Sequence, residues 1–250
     1  MSAHKETFGK TVGIVIAVCL ACSIVVSTAA VGLRSKQQAN AQLDKQTNIL
    51  EAAGLLANAG GDINGTYEKY VEERFVDLTT GEYVDVPADF DMFKYAKVDD
   101  YRVTPKPDIA GVIRHSKVVS VYHVKDDAGV VQRVILTVYG SGLWNIMYGL
   151  LALDSDGNTV RTLVYYDQQE TAGLGGEVQN PAWKKLWDGK KLFNNGEVAI
   201  KVKKNAGDDI HAVDALSGAT LTSNGVQNSL DYWLAEEQLG TFLSKQPWKS

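Results

Sequence analysis

From Thr11 to Leu33 the chain carries no charged residue. As a helix, residues 11–33 reach roughly 34 Å at about 1.5 Å per residue, enough to cross a hydrocarbon core of ~30 Å. Lys5 and Lys10 flank the run on one side, Arg34 and Lys36 on the other. That near-tie gives the positive-inside rule nothing to orient by. A cleaved signal peptide would end at small residues such as Ser27-Thr-Ala29, and a lipoprotein would be modified at Cys22. The apolar run continues past Ala30 to Leu33, and Cys19 stands where a lipoprotein box wants Leu. Both points favour an uncleaved membrane anchor. The formal net charge of −5 and the absence of a basic stripe argue against a nucleic-acid partner and against attraction to anionic lipid. Membrane attachment must therefore come from apolar length.

Cys19 and Cys22 are the only cysteines, both inside the apolar run. The chain beyond residue 34 accordingly has no disulfide and no thiolate metal site. Their CxxC spacing admits a redox or metal reading, but small apolar residues three apart on one face of a spanning helix favour a helix–helix contact instead.

After the anchor, Gln37 to Ala59 has a helical pattern, with Leu43, Ile49, Leu50, Ala53 and Leu56 near one face and Gly60-Gly61 as its stop. This predicts a stalk helix packed on the domain. Asn64 to Pro107 is mixed: a short helix, a hairpin near Thr80-Gly81, and loops. Val118–Val124 and Val130–Tyr139 are rich in β-branched and aromatic residues and are separated by a turn at Asp126–Gly129. Leu143–Leu153 and Thr159–Tyr166 flank the turn Asp154–Asn158, predicting a second hairpin. Glu197–Lys203 reads as a further strand. Thr222–Leu239 reads as a helix with Val226, Leu230, Trp233 and Leu234 inward. The expected fold class is α+β: one transmembrane helix, then an antiparallel sheet with packed helices.

His4, His115, His123 and His211 show no ligand spacing, so no metal site is expected, and no acid–base dyad, Walker loop or dinucleotide fingerprint occurs. Any chemistry would belong to a bound cofactor. Two stretches of small residues remain. Glu170-Thr-Ala-Gly-Leu-Gly-Gly-Glu177 follows a strand, and its glycines admit either a close ligand or an ordinary turn. Asp214-Ala-Leu-Ser-Gly-Ala-Thr-Leu-Thr-Ser223 precedes the last long helix, with Thr222 or Ser223 as its cap. The positive end of the helix dipole favours an anion there, phosphate above all. A plain capping turn is the competing reading.

Asp214-Ala-Leu-Ser-Gly-Ala-Thr220 resembles the flavinylation sequence of FMN-binding domains, in which FMN is joined through its phosphate to the hydroxyl of the final Thr. The resemblance extends further. Gly142-Leu-Trp144, Asp156-Gly-Asn-Thr-Val160, Glu170 to Val178, Asn180-Pro-Ala-Trp183, Ser223-Asn-Gly-Val-Gln227 and the single anchor are together similar to the C subunits of sodium-translocating NADH:quinone oxidoreductases. One departure is Ala172, where that family usually has Pro, which leaves the loop less rigid. Two alternatives stand beside it. One is the flavin-bearing G subunit of the related ferredoxin:NAD oxidoreductase complex. The other is a cofactor-free tethered binding or assembly protein.

The resemblance implies a subunit of an NADH-oxidising, ubiquinone-reducing, sodium-pumping complex of the bacterial inner membrane, active only within it. The subunit relays electrons through covalent FMN on Thr220, attached by a separate metal-dependent flavin transferase with FAD as donor. No residue is expected to be catalytic. By the same resemblance, Glu170, Thr171, Gly173, Leu174 and Gly175 line the ring and ribityl chain, and Leu143 and Trp144 support the ring from an adjoining strand. Ser217, Gly218, Ala219, Leu221 and Thr222 surround the phosphate, and Asp214 assists attachment. Residues 1–10 would be cytoplasmic, 11–33 would span, 34–60 would form the stalk, and 61–250 would be a periplasmic FMN-binding domain. Its partners would be the other subunits and, during maturation, the transferase.

Overall fold

The computed structural model describes residues 8–249. It divides into two compact units, one running to Lys45 and the other starting at Gln46. Most of the expected cytoplasmic N-terminus, residues 1–10, lies outside the described residues. Helix α1 (Phe8–Ala53) contains the whole apolar run and is, among the described residues, the one helix long and apolar enough to cross a membrane. Its Ile, Leu and Val side chains from Val12 to Leu33 are exposed, as a lipid-facing surface requires. The Thr28 hydroxyl donates to the Ile24 carbonyl at 2.7 Å, so this polar group is satisfied within the helix.

The segment expected to form a separate stalk is the continuation of α1, and it stops at Gly54 rather than at Gly60-Gly61. Gly54 takes φ +71°, its N–H donates to Glu51 O, and the Leu55 N–H donates to Leu50 O, each at 2.9 Å. These two bonds close a left-handed helix terminus. Gly60 ends only a short 3₁₀ turn, Leu56–Ala59.

The second unit is α+β. Helix α2 (Ile63–Tyr70), capped by Asp62 accepting from the Gly65 N–H, leads into β1 (Val71–Asp77), which turns back through β2 (Glu82–Tyr83). The short elements α3 (Met92–Tyr95), β3 (Arg102–Val103) and β4 (His115–Ser116) follow. The long strands are β5 (Val118–Lys125), β6 (Val131–Ser141), β7 (Ile146–Asp154) and β8 (Val160–Asp167). They complete a six-stranded sheet in the order β2-β1-β5-β6-β7-β8, antiparallel throughout. All three predicted hairpins are present, near Thr80-Gly81, at Asp126–Gly129 and at Asp154–Asn158.

The strands read as nearly unbroken apolar runs because both faces are covered. Val134, Leu136, Val138, Leu151, Leu153 and Leu163 point into one core, and Ile135, Leu150, Ala152 and Val164 into another. The second core is closed by Ile49, Leu50, Ala52 and Ala53 from the end of α1. The first is closed by the C-terminal part of the chain: α4 (Pro181–Lys185), the short strands β9 (Phe193–Asn194), β10 (Glu197–Val198), β11 (Lys201–Lys203) and β12 (Ala212–Asp214), then α5 (Thr220–Trp233) and α6 (Thr241–Lys245).

Two predicted elements are divided or shortened. The strand expected over Glu197–Lys203 is β10 and β11, with different partners. Between them the Ala199 and Ile200 N–H groups both donate to Leu192 O, which bends the chain. The helix expected over Thr222–Leu239 runs Thr220–Trp233; Ala235 is extended (φ −58°, ψ 154°), and the chain turns back to bury Leu239 and Phe242 in the same core.

Candidate functional site

The β6–β7 turn, the loop after β8 and the first turn of α5 meet at one cavity of about 220 Å³. Its wall is Leu143, Glu170, Thr171, Leu174, Gly175, Gly218, Ala219, Thr220, Leu221 and Thr222. All ten are residues singled out in the sequence. Four others from that set lie beside it or away from it. Trp144 is next in the turn and donates from Nε1 to Thr171 Oγ1 at 3.1 Å. Gly173 and Ser217 sit within the two converging loops. Asp214 is apart from the wall, at the end of β12. Its Oδ1 accepts from the Ala206 N–H at 2.8 Å and its carbonyl accepts from Trp183 Nε1 at 2.9 Å.

Leu143 and Trp144 belong to a tight turn, not to a strand: the Gly142 N–H donates to Asn145 O at 2.8 Å, and β7 begins only at Ile146. The turn projects both side chains outward, 48% and 67% exposed. With Leu174 and Leu221, also exposed, they give the cavity an apolar rim.

The start of α5 differs from the expected cap. Thr220 is the first helical residue, and the N-cap position is Ala219, which has no side-chain acceptor. The hydroxyls of Thr222 and Ser223 are engaged elsewhere. Thr222 Oγ1 donates to Glu170 Oε2; Ser223 Oγ donates to Ala219 O and accepts from the Leu216 N–H, both at 3.0 Å. The first intrahelical bond runs from Ser223 N–H to Ala219 O at 3.0 Å. The N–H groups of Thr220, Leu221 and Thr222 therefore precede the helical ladder, and no side chain caps them. Ser217 and Thr220 are exposed, whereas Thr222 and Ser223 are buried.

Close packing brings these pieces together. A Cβ on Gly175 would lie 2.7 Å from Glu170 Oε2 and collide with Thr222 Oγ1, so only glycine lets the loop approach the helix here. Gln168 had no signal in the sequence, yet its Oε1 accepts from the Glu170 N–H at 2.5 Å and fixes the loop's entry.

The two buried histidines are occupied structurally. His115 Nδ1–H donates to Ser116 O at 2.8 Å, leaving Nε2 to accept from Tyr232 OH at 2.6 Å, and burial pushes its pKa down. His123 pairs with Tyr83 OH at 2.9 Å, and burial pushes it to about 4. No group of three or more His, Cys, Asp or Glu could hold a metal among the described residues. A larger cleft, about 690 Å³, lies between the β7–β8 turn and the C-terminal segment, lined by Asp156, Glu197 and Glu236 among others. It contains none of the site residues expected from sequence. The smaller cavity is where glycines, uncapped N–H groups and an exposed hydroxyl converge.

Comparison with known proteins agrees with this geometry. A family model described as the FMN-binding domain matches residues 142–235, which include the whole cavity wall. The C subunit of the Na(+)-translocating NADH-quinone reductase of Yersinia pestis is 47% identical over 250 residues, covering 97% of this chain and 94% of that protein. Its counterpart in Vibrio parahaemolyticus is 49% identical over 257 residues, covering 98% and 97%. The crystal structure of Shewanella oneidensis NqrC superposes with a TM-score of 0.77 at 36% identity, covering 82% of this chain and 98% of that one. The chain thus belongs to the NqrC family, the C subunits of Na(+)-translocating NADH-quinone reductases, with an FMN-binding domain in its C-terminal half.

Proposed function

We propose that the protein is the electron-relay subunit of a sodium-translocating NADH:quinone reductase and carries FMN joined through its phosphate to Thr220. The observation that carries this reading is the state of the hydroxyls around the start of α5. Thr220 is exposed on the cavity wall beside uncapped N–H groups, while Thr222 and Ser223 are buried and bonded. Ser217 is exposed but lies outside the wall, and Thr171, exposed on the wall, already accepts from Trp144 Nε1.

The residues fit the group. A phosphate at Thr220 would meet N–H donors and the positive end of the helix dipole. The cavity, about 220 Å³, is smaller than the ~300–1,000 Å³ of common ligand pockets, so it would enclose only part of an FMN. The exposed rim of Leu143, Trp144, Leu174 and Leu221 supplies apolar surface for the remainder.

Bound there, FMN supplies one-electron transfer. The chain's own residues bind and orient it and need move no proton. Attachment would form a bond from Thr220 Oγ1 to the flavin-side phosphorus of FAD and break the pyrophosphate, with AMP leaving. A metal-dependent transferase would perform this, and Thr220 is exposed enough to reach it. The other subunits are the standing partners. We assign residues 1–10 to the cytoplasm, 11–33 to the inner membrane, 34–45 to the connecting stalk and 46–250 to a periplasmic FMN-binding domain.

Thr220→Ala, co-produced with a flavin transferase, is expected to fold and to lack covalent flavin. Denaturing gels under ultraviolet light test this, and a fluorescent band persisting in the variant overturns the linkage. Intact mass of the protein from native membranes should exceed the sequence mass by one attached FMN.

A further inference from the structure

Glu170 is only 8% exposed, and a buried carboxylate is costly unless its oxygens are bonded. Both are. Oε1 accepts from the Trp144 N–H at 3.0 Å and Oε2 accepts from the Thr222 hydroxyl. Two oxygens that both accept are the pattern of an ionised carboxylate. Its bonds run to the protein on both sides of the cavity. One side chain thereby ties the loop after β8 to the β6–β7 turn and to the first turn of α5. Gly142 and Gly175 are shaped around it: a Cβ on either would come within 2.5 Å and 2.7 Å of its carboxylate oxygens, respectively. Among the described residues no Lys, Arg or His forms a salt bridge with it. The wall therefore holds a fixed negative charge, balanced only by neutral donors.

We infer that Glu170 is a positioning residue that joins the three walls of the cavity, and that its charge holds down the reduction potential of the flavin bound there. The inference rests on the FMN reading above. Adding an electron to a ring in this cavity sets two negative charges near each other in a partly water-excluded wall, where Coulomb repulsion is weakly screened. Removing the charge while keeping the shape makes reduction easier.

The test uses the full-length chain co-produced with a flavin transferase, as wild type, Glu170→Gln and Glu170→Asp. Gln is close to isosteric: its carbonyl can accept from the Trp144 N–H and its amide can donate to the Thr222 hydroxyl. Asp keeps the charge and shortens the reach. Covalent flavin is read as the fluorescent band, and the midpoint potential by spectroelectrochemical titration. Glu170→Gln is expected to carry flavin and to shift the one-electron reduction equilibrium about tenfold toward the reduced form, about 59 mV. Glu170→Asp is expected to stay near the wild-type potential with a lower flavin yield. A fully loaded Glu170→Gln chain with the wild-type potential overturns the inference, as does an equal positive shift in Glu170→Asp. A wild-type chain that takes up no flavin overturns the FMN reading itself, and this inference with it.

Discussion

Gly225, in the second turn of α5, packs against the carbonyl oxygen of Ser141 at the end of β6. A Cβ at this position would clash with that oxygen and lie 3.2 Å from Gly142 Cα. The same helix begins with Thr220, so its seating on β6 sets where the cavity wall stands. In an unobstructed helix interior, Gly→Ala stabilises by roughly 0.5–1 kcal/mol. Here the obstacle is backbone on both counts, and overpacking of this kind costs about 1–3 kcal/mol. Gly225→Ala is therefore expected to lower stability by about 1–2 kcal/mol net, read as a lower urea midpoint with an unchanged slope. A midpoint that rises would mean that helix and strand are not in contact.

His123 makes stability depend on pH in a defined direction. Burial lowers its folded pKa to about 4 against an ordinary value of 6.5; Glu72 opposes the shift, and Arg74 and Lys125 add to it. Between these values the unfolded chain binds the proton and the folded chain does not. The contribution is complete above pH 6.5 and is lost as pH falls toward 4. From pH 7 to pH 5 the loss is roughly 2 kcal/mol. His115, also lowered by burial, adds in the same direction. Glu72 and Asp156 are held below their ordinary values, so their contributions also weaken as pH falls. Denaturant midpoints at the two pH values should show the slope, and His123→Gln should reduce it. An unchanged slope in the variant would remove His123 from the account.

Sequence patterning reaches the long elements and misses those whose partners are far away in the chain. Val118–Val124 and Val130–Tyr139 announce themselves by β-branched runs, and Asp154–Asn158 by turn residues. β1, with sequence VEERFVD, carries four charges in seven positions and shows no apolar run; it is a strand because it pairs along its length with β5. The end of α1 is misplaced from sequence because Gly54 and Gly60 both take left-handed φ, and only packing shows which one ends the long helix. At the candidate site, the two small-residue stretches mark the loops that converge. The capping role expected of Thr222 fails for a reason local sequence cannot carry, since its acceptor Glu170 lies 52 positions away, whereas Ser223 is taken up locally by Ala219 O and the Leu216 N–H.

The last two turns of α1 are part of the second unit's core, and this gives a sharp truncation test. Ile49, Leu50, Ala52 and Ala53 are each at most 1% exposed and cover Tyr122, Ile135, Leu150 and Val164. Arg133 donates to Ala53 O and Lys184 pairs with Glu51, so the helix end also satisfies two cations of the domain. Burial of Ile49 and Leu50 alone is worth about 1.5–3 kcal/mol each. A chain starting at Gln46 is expected to be soluble and to unfold cooperatively. A chain starting at Leu55 loses that cover, exposes one face of the sheet, and should aggregate or unfold roughly 1–2 M earlier in urea, at ~3 kcal/mol per molar for a domain of this size. Urea titrations of the two fragments, followed by tryptophan emission, distinguish them. Equal midpoints would show that the helix end only rests on the sheet and contributes nothing to holding it.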